Sequence, residues 1–192
     1  MINVKSLSLL LTLLFSACSA PQTHFYALHA SHEPGAAPGS YPFSLGVGPV
    51  FLPESMNQPG VVSYTPGQEV NVSTYHIWAG YLRENVTRVL ADNLSLMLGA
   101  DAVWPFPWDN RMRPTRQVRI VIEEMGGERG KNVTLQAKWA LVADNGEKVL
   151  STQRTRLVLA TANDSHEAYI QAINQLLNQL STQMASVIRN QQ

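Results

Sequence analysis

Residues 133–160 read VTLQAKWALVADNGEKVLSTQRTRLVLA and contain the clearest strand pattern in the chain. Apolar residues occupy every second position from Val133 to Leu141, which is the period of a β-strand with one buried face. Asp144-Asn145-Gly146 then predicts a type I′ hairpin turn, because Asn-Gly accepts positive φ angles. Since residues 147–160 are again β-prone, the stretch predicts two antiparallel strands, and we place Trp139 among the inward-facing core residues.

Working outward, the sequence predicts more strands on the N-terminal side of this hairpin. Val118, Ile120 and Ile122 alternate ahead of a glycine-rich turn at 126–130. Proline at positions 49 and 53 favours a strand at a sheet edge or a strand end for that segment. The remaining β-prone runs are 24–28, 45–53 and a small hairpin over 60–72.

Two amphipathic helices complete the pattern. The first carries an apolar face at spacings of three and four, ends at Gly99, and is preceded by Trp78, which we also assign to the core. The second is predicted to begin at Asp164, with Glu167 completing a capping box. We therefore expect an α/β (α+β) fold, a single two-layer domain over 24–192 with a largely antiparallel sheet packed by two helices. The apolar positions are Leu82, Val86, Val89, Leu90 and Met97, and then Tyr169, Ile173, Leu176, Leu177, Leu180, Met184 and Val187.

The first 17 residues have the composition of a secretory signal peptide. Lys5 precedes an apolar run from Leu7 to Phe15 that is too short to span a bilayer. Leu14-Phe15-Ser16-Ala17-Cys18 resembles the bacterial lipobox, and Cys18 is the one cysteine in the chain. We therefore expect cleavage after residue 17, lipid attachment at Cys18 and a polar tether over 18–23.

Composition excludes several classes of function. The 192 residues carry 14 basic and 14 acidic side chains, and only 15% of residues are charged. A nucleic-acid-binding protein would need a basic surface to neutralise phosphates. One cysteine excludes an intramolecular disulfide and multi-thiolate metal sites, and the five histidines are not at metal-ligand spacing. We expect neither metal nor cofactor.

No catalytic motif is recognisable in the sequence. Glu123-Glu124 is the nearest approach to a carboxylate pair, but neighbours on a regular strand point to opposite faces. His76 precedes the first helix, where capping or packing is the favoured role. We therefore predict a binding or assembly protein that is not an enzyme.

The loop 103–116 is the predicted partner-binding surface. Trp104, Phe106 and Trp108 alternate with prolines that keep the backbone extended, and Arg111 and Arg113 follow them. Aromatic and arginine side chains are enriched at interface hot spots. The alternative is that the three aromatic side chains fold back to cover the sheet.

These features in order resemble the PqiC-type (YmbA) lipoproteins, the ABC-type transport auxiliary lipoproteins that accompany MCE-domain lipid transporters. The matching segments extend over nearly the whole mature chain. They are the lipobox at Cys18, Phe25–Leu28, Gly48–Pro53, Ile77-Trp78-Ala79, a helix with Leu82, Leu90, Asn93-Leu94 and Leu98, Gly126-Gly127, Trp139 and the C-terminal amphipathic helix.

The resemblance implies a non-catalytic accessory subunit of an intermembrane lipid transport system. It would dock onto the periplasmic MCE protein, whose ABC permease and ATPase are separate chains, and it would support envelope integrity. Ser19 after the lipidated cysteine implies the outer membrane, periplasmic side. Homo-oligomeric rings are known in the family, so self-association is also implied.

Two other functions remain open. One is a stand-alone periplasmic carrier with a lipid or ligand held between sheet and helices. The other is a structural envelope lipoprotein that binds peptidoglycan, although we recognise no Asp/Arg constellation for diaminopimelate in the sequence. A membrane-anchored hydrolase is a more distant alternative.

Overall fold

The computed structural model describes residues 21–30, 37, 39–67, 69–109 and 113–191. The predicted signal peptide 1–17 and Cys18 lie outside them. These described residues form eight strands and two long helices, which confirms the α+β class. The elements are β1 (His24–Tyr26), β2 (Leu45–Phe51), β3 (Gly60–Tyr64), β4 (Val70–Trp78), α1 (Leu82–Leu98), β5 (Val103–Pro105), β6 (Arg116–Gly127), β7 (Asn132–Ala143), β8 (Lys148–Ala160) and α2 (His166–Arg189).

The strands divide into two sheets, where the sequence predicts one. Five strands pair in the order β5-β2-β6-β7-β8. β6, β7 and β8 are antiparallel as predicted, but β2 is parallel to both β5 and β6. β2 therefore lies inside the sheet and not at its edge. Its Pro49 is accommodated where the register with β6 shifts between Val47 and Val50, because proline is tolerated at bulges.

The second sheet has three strands in the order β1-β4-β3. β3 and β4 form the predicted hairpin, with Val62 opposite Val72. β4 continues to Trp78 and takes up β1 as a parallel neighbour, which places His24 opposite His76. This sheet thus joins segments that lie about 50 residues apart in sequence.

Both helices contribute one apolar face to the same core. Their facing residues pack with the inward side chains of the five-stranded sheet, so the space between sheet and helices is filled. Asn93 of α1 donates to Asn178 Oδ1 of α2 at 2.7 Å, a polar contact within that helix pair. Among the fully buried side chains are Leu45, Leu90, Leu94, Ile120, Leu135, Leu141, Ile173 and Leu176.

Two local predictions differ from the structure. α2 begins at His166 with Ser165 as its N-cap, whose hydroxyl accepts from the Ala168 amide at 3.1 Å, so the cap is not Asp164. The β7–β8 turn is longer than a two-residue type I′ loop, because Ala143 pairs with Lys148. Its positive φ angles include Asp144 at 52° and Asn145 at 58°.

Tyr169 on α2 connects the two sheets through its buried hydroxyl. The hydroxyl donates to the Val62 carbonyl at 2.9 Å and accepts from the Gly127 amide at 3.0 Å. Val62 lies on β3 and Gly127 ends β6, so one oxygen satisfies a backbone group of each sheet. Burial is the main cause that raises the pKa of Tyr169 to about 12, which keeps the hydroxyl protonated.

We expect Tyr169→Phe to lower the free energy of unfolding by about 1–3 kcal/mol. The variant keeps the ring but leaves a buried N–H and a buried C=O without their partner, and unsatisfied backbone groups carry a penalty of that size. Urea denaturation monitored by circular dichroism measures the change. Tyr81→Phe is the control, since Tyr81 is exposed. Equal stability of the two variants would contradict this role.

Within the described residues, neither helix combines the length and hydropathy that a membrane span requires.

Candidate partner-binding surface

The predicted partner loop begins as a strand. Val103–Pro105 forms β5, which pairs in parallel with β2, and places Trp104 opposite Gly46. The Phe106-Pro107 peptide bond is cis. Trp104 and Trp108 are half-buried, whereas Phe106 keeps 45% of its surface exposed. The aromatic residues of this loop therefore differ in their availability to a partner.

Two glycines of β2 allow the loop to fold back over the sheet. A Cβ at Gly46 would lie 2.8 Å from the Trp108 ring, and one at Gly48 would lie 2.6 Å from the Cβ of Phe106. Phe106 and Trp108 contact each other edge to face, with ring centroids 5.1 Å apart. Trp108 thus folds back to cover the sheet, as the alternative to a partner-binding loop predicts. Phe106 lies at the margin of the covered area.

A surface groove of about 440 Å³ separates this margin from α1. Phe51, which ends β2, and Phe106 form its apolar wall, and Arg83 and Glu84 from the first turns of α1 form its polar side. Phe51 is 56% exposed. We call this feature the Phe51–Phe106 groove; it combines exposed aromatic side chains with one charge of each sign.

The arginines of the predicted surface have different surroundings. Arg111 lies outside the described residues, and Arg113 is exposed. Arg116, which follows them, is at the start of β6 with its guanidinium 3.7 Å from the centre of the Phe43 ring. That cation–π contact assigns Arg116 to packing at the sheet end.

The outer face of the five-stranded sheet continues the surface beyond Phe51. An open apolar groove of about 510 Å³ lies there, with Val121 and Ala140 in its floor and Arg119 and Lys138 beside them. Lys138 pairs with Glu123 at 2.6 Å. The hydrogen bonds from Lys138 and Gln136 lower the pKa of Glu123 to about 2.

The Glu123-Glu124 pair does not follow strict alternation. The register between β6 and β7 shifts between Ile122 and Glu124, which marks a bulge. Gln136 lies opposite Glu124, yet its amide donates to Glu123 Oε2 at 2.7 Å. The prediction that the two carboxylates point to opposite faces of a regular strand is therefore wrong at this position. The strand also continues to Gly127, so the pair is not at a strand end.

Three histidines from distant segments stack at the N-terminal end of α2. His76 of β4 stacks on His166 with ring centroids 3.6 Å apart, and His24 of β1 stacks on His76 at 5.0 Å. The packing role predicted for His76 is confirmed. Its position on a strand was not predicted.

Hydrogen bonds set the donor and acceptor roles of two of the stacked histidines. The Tyr26 hydroxyl donates to Glu167 Oε1 at 2.6 Å, so His76 Nδ1 must donate in its 2.7 Å contact with the Tyr26 oxygen. Arg129 donates to His166 Nδ1 at 3.1 Å. Burial, followed by the nearby Arg129 charge, lowers the pKa of His166 to about 4, so the ring is neutral at pH 7. The stacked histidines hold the N-terminal end of α2 against the three-stranded sheet.

The stacked geometry does not converge on a metal. Within the part of the chain that the structure describes, no group of three or more His, Cys, Asp or Glu side chains could hold a metal ion. The ring nitrogens of parallel rings 3.6 Å apart lie side by side and do not point at a common centre, so the stack favours a packing role over metal ligation.

Both predicted core tryptophans are buried. Trp78 and Trp139 are each at most 5% exposed. Phe51 and Arg83 of the groove were not predicted as surface residues from the sequence. Phe51 belongs to a strand that packs into the sheet. Its place as the last residue of β2 is the signal that could have predicted its exposure to solvent.

Comparison with known proteins identifies the family. A profile of the ABC-type transport auxiliary lipoprotein component family matches residues 26–185. The chain belongs to this family. The match begins at Tyr26 in β1 and ends at Ala185 in α2, so it includes both sheets and both helices. It confirms the resemblance drawn from the sequence.

Solved structures share the fold of this auxiliary lipoprotein at low sequence identity. An uncharacterized protein aligns with a TM-score of 0.70 and 19% identity over 88% of this chain and 99% of its own. Protein XCC0632 from Xanthomonas campestris aligns with a TM-score of 0.70 and 17% identity over 85% and 93%. No curated protein matches the sequence significantly.

Proposed function

We propose that this protein is an outer-membrane lipoprotein, anchored at Cys18 on the periplasmic side. As a non-catalytic accessory subunit it docks onto the MCE protein of an ABC-type intermembrane lipid transport system and supports envelope integrity. The observation that carries the proposal is the family match over 26–185, since that family is defined as an auxiliary transport component. The lipobox at Cys18 supports the anchor.

The packed interior supports docking over stand-alone carriage. A carrier needs an internal cavity for its lipid, whereas Leu90, Leu135 and Leu176 fill the layer between sheet and helices here. The grooves described above open onto the surface, where a protein partner has access.

The Phe51–Phe106 groove is the proposed docking site. Its two exposed aromatic side chains supply apolar anchors, and Arg83 and Glu84 at its side can pair with charges on the partner. Arg113 lies exposed on the same loop system. Trp104 and Trp108 hold the loop against β2, and Arg111 remains part of the proposed surface.

Purification of the tagged lipoprotein from detergent-solubilised envelopes tests the function. We expect the MCE protein, its permease and its ATPase to co-purify. Recovery of the lipoprotein without any of the three would contradict the proposal.

The double variant Phe51→Ser/Phe106→Ser tests the site. Both side chains are about half exposed, so we expect near-native thermal stability and at least a tenfold loss of MCE co-purification, because single interface anchors often contribute 2 kcal/mol or more. Val149→Ser on β8, also exposed, is the matched control and should retain binding. Undiminished co-purification by the double variant would exclude the groove as the docking site.

A further inference from the structure

The three-stranded sheet differs from the five-stranded sheet in its charge. β1, β3 and β4 contain no Asp, Glu, Lys or Arg. β6, β7 and β8 carry all the charged strand residues of the other sheet. Those are Arg116, Arg119, Glu123, Glu124, Lys138, Lys148, Arg154 and Arg156.

The uncharged sheet also exposes large apolar side chains. Phe25 on β1 is 67% exposed, and Tyr75 on β4 is 44% exposed. Val70 and Val72 on β4 are exposed to a similar extent. We call these four residues the β1–β4 surface. Exposed tyrosine and phenylalanine side chains suit the boundary between lipid headgroups and acyl chains. Burying a charge there is unfavourable, whereas burying apolar surface is favourable.

Chain length places this surface near the proposed anchor. Cys18 lies six residues before His24, the first residue of β1. Six residues span at most about 20 Å, whereas a domain of this size is about 40 Å across. The side of the domain that carries β1 must therefore stay close to the bilayer holding the acyl chains.

Strand direction adds a second constraint. β1 runs parallel to β4, with His24 opposite His76, so the N-terminal end of β1 points toward the half of β4 that carries Tyr75, Val72 and Val70. The chain that leads back to Cys18 leaves the domain on that side.

We propose that the β1–β4 surface rests against the lipid bilayer, with Phe25 and Tyr75 in its interfacial region. The occupant is the membrane that carries the anchor. The inference rests on the proposed lipidation of Cys18 and adds an orientation, in which the β1–β4 surface faces lipid.

Site-specific fluorescence on the full mature lipoprotein tests this orientation. The native Cys18 thiol is consumed by lipid attachment, so Phe25→Cys provides a single site for the dye NBD. The labelled protein is reconstituted in phosphatidylethanolamine/phosphatidylglycerol vesicles that contain a spin-labelled lipid. Tyr75→Cys is a second probe, and Val149→Cys on β8, 59% exposed, is the matched control.

We expect spin-labelled lipid to quench NBD at positions 25 and 75 at least threefold more than at position 149. Equal quenching at the three positions overturns the inference. A blue-shifted dye at position 25 that lipid does not quench indicates a second copy on this surface and also overturns it. Vesicle flotation and the mass of residue 18 report separately on the anchor, and a protein that is neither acylated nor floated defeats the proposed anchor and the orientation together.

Discussion

Trp139→Ala is expected to lower the free energy of unfolding by about 3–5 kcal/mol, the range measured when large aromatic side chains are removed from cores. Trp139 is 2% exposed and lies in the middle of β7, a strand that contacts α2. Its indole N–H donates to Thr155 Oγ1 at 3.4 Å, and Thr155 in turn donates to Gln183 of α2 at 3.0 Å. The substitution removes a large apolar area and one end of a hydrogen-bonded chain from β7 to α2.

Urea denaturation of the purified protein measures this loss. Val149→Ala, on the exposed edge strand, is the control and should change stability by no more than about 0.5 kcal/mol. A loss below about 1 kcal/mol for Trp139→Ala would show that the β7–α2 contact contributes little to the core.

Cys18→Ala is expected to abolish membrane attachment while leaving the domain folded. Each buried acyl methylene contributes about 0.8 kcal/mol to membrane binding, so losing two or three chains removes the anchor entirely. Cys18 precedes β1 by six residues, and the packing of both sheets involves residues downstream of it. The expected protein has a native melting temperature and appears in the soluble fraction.

Metabolic labelling with radioactive palmitate and fractionation of the envelope provide the measurement. Ser19→Ala keeps the thiol and is the matched control, which should remain labelled and sediment with membranes. A wild-type protein that takes up no label would remove the basis for lipid attachment at this cysteine.

Periodicity and end signals within single segments predicted β7 and α1. The alternation from Val133 to Leu141 predicted β7 because one face of that strand is buried and the other is in water. The spacing of Leu82 and Val86 predicted α1, and Gly99 predicted where the helix ends. In the structure Gly99 has a left-handed φ of 61°. Each of these signals lies within one element.

Pairing between distant segments could not be predicted in this way. β2 carries no signal that it will run parallel to β6, since that choice depends on which strands meet after the chain collapses. The histidine stack arises for the same reason, because β1, β4 and α2 meet only in three dimensions. The bulge near Glu123 adds one residue to β6, a change of register that an alternating pattern does not reveal.

The candidate surface was predicted in part. The aromatic loop was recognised from composition, but the glycines that receive it are on β2, more than 50 residues earlier. Because Gly46 has no side chain, the Trp108 ring packs against β2 and is not a free partner anchor as predicted. Phe51, at the end of β2, is instead the second aromatic residue of the groove.

The position of β8 at the sheet edge bears on how such proteins behave when crowded on a membrane. Among the described strands, β8 is hydrogen-bonded on one side only, to β7. If Cys18 is lipidated as proposed, copies move in two dimensions at high local density, and an unpaired strand edge can then pair with the edge of another copy. The charged residues of β8 are Lys148, Arg154 and Arg156, with no acidic residue among them. Arg154 pairs with Glu123 at 3.0 Å, so Lys148 and Arg156 supply the like charges by which two such edges repel each other. The same row of positive charge leaves the edge open to a strand that carries acidic side chains.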